Sequence, residues 1–181
     1  MSVTHTPEPL RTGLAGCRLR RWQAGDKADL VRHGNDRGVW RNLTDMFPHP
    51  YTDADADSWL RIAADPAAGV HLAIEYGGAA VGGIGAIPGR GVASRTAQFG
   101  YWLGQSHWGR GIATAAVRAM TAHLFATTAF ARLEAPVFAW NPASMRVLEK
   151  AGFAREGVLR HSVFKDGQLI DSVVYALIRA A

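Results

Sequence analysis

Between Gln98 and Thr114 the chain reads QFGYWLGQSHWGRGIAT, and this stretch restricts the fold more than any other. Gln98 to Leu103 is aromatic and apolar enough for a strand. A turn-rich link from Gly104 to Gly111 follows, and then an alanine-rich helical pattern begins. A helix start leaves its first N–H groups unpaired and carries about half a positive charge. Gly109 and Gly111 let the backbone approach a ligand where a side chain would block it. The segment therefore reads either as a plain turn or as an anion site, and its geometry suits a diphosphate cradle.

The spacing excludes two common cradles. A Gly-x-x-x-x-Gly-Lys-Ser/Thr loop is missing, and the third glycine of a dinucleotide fingerprint would fall where Thr114 stands.

The 181 residues suit a single domain, with 1–16 expected as a loose arm and 17–181 as the folded unit. At 48% hydrophobic and 19% charged, the composition argues for a packed core and against disorder. Apolar runs stop well short of a membrane span and no basic, apolar leader opens the chain, so a cytoplasmic protein is expected. Cys17 is the only cysteine and the histidines are scattered, which predicts neither an intrachain disulfide nor a bound metal. The net charge of +5 favours an anionic partner. Arg18, Arg20 and Arg21 are the densest basic cluster, and their partial alternation reads as the solvated face of a strand rather than a nucleic-acid patch.

In order, Cys17 to Trp22 is a strand with Cys17 and Leu19 inward. Asp26 is placed to cap a helix, Trp40 and Leu43 continue it or follow it, and Thr52 or Asp53 caps a second helix bearing Ala56, Trp59, Leu60 and Ala63 on one face. His71–Tyr76 and Ala79–Ile84 flank a Gly77-Gly78 hairpin turn. After the central segment, Ala113, Ala116, Val117, Met120 and Leu124 give a buried stripe, with Arg118 and Thr121 off it. Leu133–Trp140 is a strand in which Pro136 requires an edge or a bulge. Asn141-Pro142 starts a helix that Gly152 ends, and Asp166-Gly167 turns a final hairpin. The fold class is α+β, a mixed sheet with helices packed on it.

This order, and three motifs within it, resemble the GNAT acyltransferases over roughly residues 17 to 181. The motifs are the Gln98–Thr114 segment, the run NPASMRVLEKAGF from Asn141 to Phe153, and the closing hairpin with Asp171 and Tyr175. Together they look like the branch containing the bacterial ribosomal-protein N-terminal acetyltransferases. The resemblance implies acetyl-CoA as co-substrate, a primary amine as acceptor, either the α-amine of a ribosomal or other protein or a small amine such as an amino sugar or polyamine, and two central strands that splay to admit pantetheine. It further implies that backbone groups near Trp102 and Leu103 bond the pantetheine amides. N–H groups of Gly109, Arg110, Gly111, Ile112, Ala113 and Thr114 would hold the diphosphate, and Asn141 would touch the cofactor chain. Ser144 stands where this branch places the group that meets the departing sulfur, although a serine there also suits bonding to the Asn141 cap.

The sequence departs from the family at four places. Gln98 replaces a frequent Glu, Leu148 a frequent Tyr, Ser106 a Gln or Arg, and Ala115 a Glu. Glu134 lies beside the expected gap with either orientation open, and no base is assigned. Acceptor groups are expected around Trp40, Phe47 and Tyr51, which serve equally as core. The resemblance also admits a homodimer. Two rivals remain: a non-catalytic acyl-CoA-binding or sensing module, and a basic nucleic-acid-binding domain.

Overall fold

A computed structural model describes residues 9–180. Eight strands form one sheet in the order β1-β2-β3-β4-β5-β6-β8-β7. They are β1 (Leu10–Arg11), β2 (Cys17–Arg21), β3 (Val70–Tyr76), β4 (Ala79–Pro88), β5 (Thr96–Leu103), β6 (Arg132–Phe138), β7 (Ala154–Lys165) and β8 (Gln168–Ile178). The helices are α1 (Lys27–Gly34), the single turn α2 (Arg37–Trp40), α3 (Asp53–Ala64), α4 (Ile112–Thr127) and α5 (Pro142–Lys150). The expected element order holds, with β1 and α2 added. The expected loose arm is corrected in part, because Leu10 and Arg11 pair with Leu19 and Arg18; residues 1–8 lie outside the described residues.

Every neighbouring pair is antiparallel except β5 and β6, and that exception makes the site. They pair only from Thr96–Gln98 to Arg132–Glu134. Beyond this point β5 stays with β4 as far as Leu103, while β6 stays with β8 as far as Phe138. A wedge opens between them, with Gln98 and Glu134 as the last pair at its apex.

Pro136 sits on the open part of β6. Ala139 donates its N–H to Asp171 O on the β8 side. By the two-residue alternation of a strand, Pro136, three positions earlier, turns its nitrogen to the gap. The proline therefore costs the β6–β8 ladder nothing; it is edge-like on one side only.

Alternation along β5 also divides the core. Phe99 and Leu103 join α4 residues Ile112, Ala116, Val117, Met120 and Leu124 in the main cluster. Trp102 faces the other way, against a smaller cluster of Leu30, Tyr51 and Ala56 with Trp22, Phe47 and Trp59. Thr121, expected off the buried stripe, is buried, and its hydroxyl is satisfied by donation to Arg118 O at 3.1 Å. Cys17 is a buried thiol, as its alternation with Leu19 predicts.

Two further expectations are corrected at β2. Arg20 is buried rather than solvated. It forks onto Asp26 at 2.7 and 2.8 Å and also donates to Glu75, which Arg18 reaches from the other side at 2.6 Å. Asp26 accordingly makes no side-chain cap bond to α1. Thr52, by contrast, caps α3 in a reciprocal arrangement with Asp55.

Candidate functional site

The wedge leads to the α4 start. Gly109 and Gly111 adopt φ values of 76° and 77°, in the left-handed region where glycine carries no Cβ penalty. A Cβ at either position meets no protein atom within 4 Å, so the space above the turn is open. Among the described residues, no bond within the turn takes up the N–H groups of Gly109, Arg110 or Gly111. The N–H groups of Ile112, Ala113 and Thr114 lie in the first turn of α4, where no intrahelical acceptor exists. The six amides thus stand together at the positive end of a 16-residue helix. Arg110 is exposed beside them. Trp108 pins the turn back to the strand by donating its indole N–H to Leu103 O at 2.7 Å. Burial, reinforced by the nearby Arg110 charge, holds the His107 imidazole below its ordinary value and therefore neutral at pH 7.

The backbone of the wedge differs from the expectation in one respect. Ala131 donates to Arg95 O, which sets the odd-numbered positions of β5 toward β6, and Gly104 donates to Val81 O, which sets the even ones toward β4. Trp102 therefore directs its backbone groups into the β4 ladder, not into the gap. Tyr101 and Leu103 are the residues that turn theirs to the gap, and the Leu103 carbonyl already accepts from Trp108.

Across the wedge stands α5. Asn141 Oδ1 accepts from the Ser144 N–H at 3.1 Å, so the cap uses the Asn141 side chain and the Ser144 backbone, and the Ser144 hydroxyl remains for another partner. That partner is Tyr101, whose hydroxyl lies 2.7 Å from Ser144 Oγ and donates to Ser144 O at 3.1 Å. Burial pushes the Tyr101 phenol up to about 12, against a smaller opposite pull from Ser144, so it stays protonated throughout the physiological range. Leu148 is fully buried in the main core and supplies no polar group. Tyr101 is the residue that sequence reasoning missed. Its signal was available: alternation sets it on the Phe99 and Leu103 face, and a tyrosine half-buried there needs a partner for its hydroxyl.

At the apex, Gln98 and Glu134 line a shallow hollow with Thr96, Ala93 and Ile87 to Gly89. Glu134 is paired with Arg132 at 2.8 Å, and Arg132 also grips Glu156. The third sequence motif ties elements together: Tyr175 donates to Glu149 at 2.8 Å, joining β8 to α5, and Asp171 accepts from His161 N at 2.8 Å, joining β8 to β7.

Of the three residues expected near an acceptor, Tyr51 is buried and stacks on Phe47 with 4.7 Å between centroids, while Phe47 packs on Trp102. Only Trp40 looks toward the closing hairpin. Lys165 Nζ sits 3.8 Å from the centre of its ring and 2.6 Å from Asp45, and Arg37 holds Asp166 at the hairpin tip. Arg41 lies over Trp140, with 4.7 Å from its guanidinium carbon to the ring centre. The hairpin is thus clamped to the α2 region. Among the described residues no cluster of three or more His, Cys, Asp or Glu could hold a metal, and no helix is long and apolar enough to cross a membrane.

Residues 17–154 match the family described as acetyltransferase (GNAT) domain. The Bacillus subtilis protein YjcK, named as an N-acetyltransferase, is 44% identical over 86 residues, 48% of this chain and 48% of its own; the chain spans about half the length of several curated relatives it matches. YdaF of Bacillus subtilis, named as a ribosomal N-acetyltransferase, is 30% identical over 155 residues, 84% of each chain. The structure of Mycobacterium smegmatis RimJ in complex with CoA-disulfide superposes with a TM-score of 0.77 at 29% identity, covering 90% of this chain and 81% of that one. With the splayed strands, the glycine turn and a match over residues 17–154, the chain belongs to the GNAT acetyltransferase family.

Proposed function

We propose that the protein is an acetyl-CoA-dependent N-acetyltransferase acting in the cytoplasm on a primary amine, in the first instance the α-amine of a protein of the ribosomal type. One observation carries this reading: the β5–β6 wedge runs directly into a glycine turn whose amides are free to bond an anion. When bound, acetyl-CoA supplies the acyl group as a thioester whose sulfur departs with the bonding electrons. The residues present fit it. The N–H groups from Gly109 to Thr114 hold the diphosphate, with Arg110 adding charge. Tyr101 offers its gap-facing N–H and carbonyl, and Leu103 its N–H, to the pantetheine amides, and Asn141 and Ser144 line the opposite wall. Holding two reactants in register is worth up to roughly 7–11 kcal/mol in favourable systems, so positioning dominates the mechanism.

The choice of amine follows from what stands at the apex. Gln98 takes no proton, and Glu134 is committed to Arg132. An acceptor that arrives already neutral needs no base. At pH ~7.4 about a quarter of an α-amine is neutral, against about a thousandth of a lysine amine, from their ordinary pKa values. YdaF, covered over most of its length, is named for ribosomal substrates.

The test is a screen of peptides with free N-termini and of small amines, read by gain of one acetyl group on mass spectra. Acetylated α-amines support the proposal. Tight binding of acetyl-CoA without transfer to any amine makes the protein a sensor instead. Ser144→Ala is expected to lower kcat about tenfold while leaving the acetyl-CoA KM within about twofold, the pattern of a contact made as the sulfur departs. Equal kinetics for variant and parent remove Ser144 from the reaction.

A further inference from the structure

Ser144 and Tyr101 approach each other from opposite walls of the wedge, α5 and β5, and their pairing assigns a role to a residue outside the expected site. We propose that Tyr101 is a positioning residue for the Ser144 hydroxyl, aiming its proton at the departing sulfur. This rests on the reading that Ser144 meets that sulfur.

Two hydroxyl hydrogens decide what the pair can do. The Tyr101 hydroxyl has one hydrogen and two acceptors within reach, Ser144 O at 3.1 Å and Ser144 Oγ at 2.7 Å. While that hydrogen points to Ser144 O, the 2.7 Å contact is made with the serine proton, which is then consumed by the phenol oxygen. When it turns to Ser144 Oγ, the serine proton is released to face the gap. A negative charge developing on sulfur favours the second arrangement, because each hydrogen bond in the chain polarises the next. The pair thus has two settings that differ only in where two hydroxyl hydrogens point.

No net proton leaves the pair. The carbon–sulfur bond breaks with its electrons going to sulfur, Ser144 donates a hydrogen bond to it, and Tyr101 donates one to Ser144. The sulfur takes its proton from solvent on release, and the amine proton is lost to solvent. A phenol held protonated is suited to this, since it donates without ionising.

A purely structural role would look different. The contact also fastens the start of α5 to β5, and loss of that fastening would weaken folding and CoA binding alike. The experiment therefore uses free CoA bound to the protein, with the thiolate followed by its ultraviolet absorbance as pH is raised. It compares the parent, Tyr101→Phe, Ser144→Ala and the double variant, with thermal melting run alongside.

The expected result is that Ser144→Ala and Tyr101→Phe each lower the thiolate fraction of bound CoA at a fixed pH, by up to about tenfold, and that the double variant equals Ser144→Ala. The same non-additivity is expected in kcat. If Ser144→Ala shifts the titration and Tyr101→Phe does not, or if the two effects add, the role given to Tyr101 is overturned while that of Ser144 stands. If neither variant shifts it, or the parent binds no CoA, the reading of Ser144 falls and Tyr101 with it.

Discussion

Gly111→Val is expected to abolish measurable CoA binding, a loss of about 100-fold or more. Two charge-assisted hydrogen bonds to phosphate, at about 1.5–3 kcal/mol each, account for that size. Two effects are mixed in the substitution. The left-handed φ of 77° strains a β-branched residue, and the new side chain enters the space over the amides. Gly77→Val separates them. Gly77 has a φ of 62°, also has no protein atom within 4 Å of its Cβ position, and lies in the distant β3–β4 turn. Both variants should melt lower by similar amounts, and only Gly111→Val should lose CoA in a calorimetric titration. Unchanged affinity in Gly111→Val would remove the cradle.

Arg20→Met is expected to lower the free energy of unfolding by about 3–5 kcal/mol, read from urea midpoints at unchanged m-value. The size comes from what is left behind. Asp26 loses its bidentate partner and Glu75 keeps only Arg18, with both carboxylates still buried. Burial alone would raise the Glu75 carboxyl, but hydrogen bonds from Arg18 and Arg20 outweigh it and hold it below the usual carboxylate range. A carboxyl depressed in the folded state stabilises above its unfolded pKa of about 4.3, and that contribution disappears as pH falls through the lower folded value. The parent should therefore lose stability on the acid side below roughly pH 4. In Arg20→Met that part of the pH profile should flatten, because one of the two donors that depress Glu75 has gone.

What was legible in the sequence was whatever local chemistry controls. The glycine turn before α4, the Gly77-Gly78 and Asp166-Gly167 hairpins, the Thr52 cap and the Asn141-Pro142 helix start all depend on neighbours a few residues away, and each lies where its residue types require. Coverage was not legible. Alternation assigns Arg20 to the outer face of β2 correctly, but nothing nearby in sequence says that Glu75 will stand diagonally across on β3 and close over it. The same limit applies at the site. Tyr101 meets Ser144, 43 residues further along the chain, only because β5 and α5 converge on one gap. The odd and even directions of β5 backbone groups depend on partners in two other strands, and so the sequence alone does not say that Trp102 turns its backbone groups to β4 while Tyr101 turns its own to the gap.

Pro136 carries a consequence for how the molecule holds its cleft. Parallel strands left side by side tend to zip, and a cleft made by withholding that zipper would have to be prised apart at each encounter. At Pro136 the strand has no hydrogen to offer across the gap, so sealing it would strand a carbonyl on the facing strand without a donor. The missing donor biases the cleft to stay ajar, so its shape is settled as the chain folds.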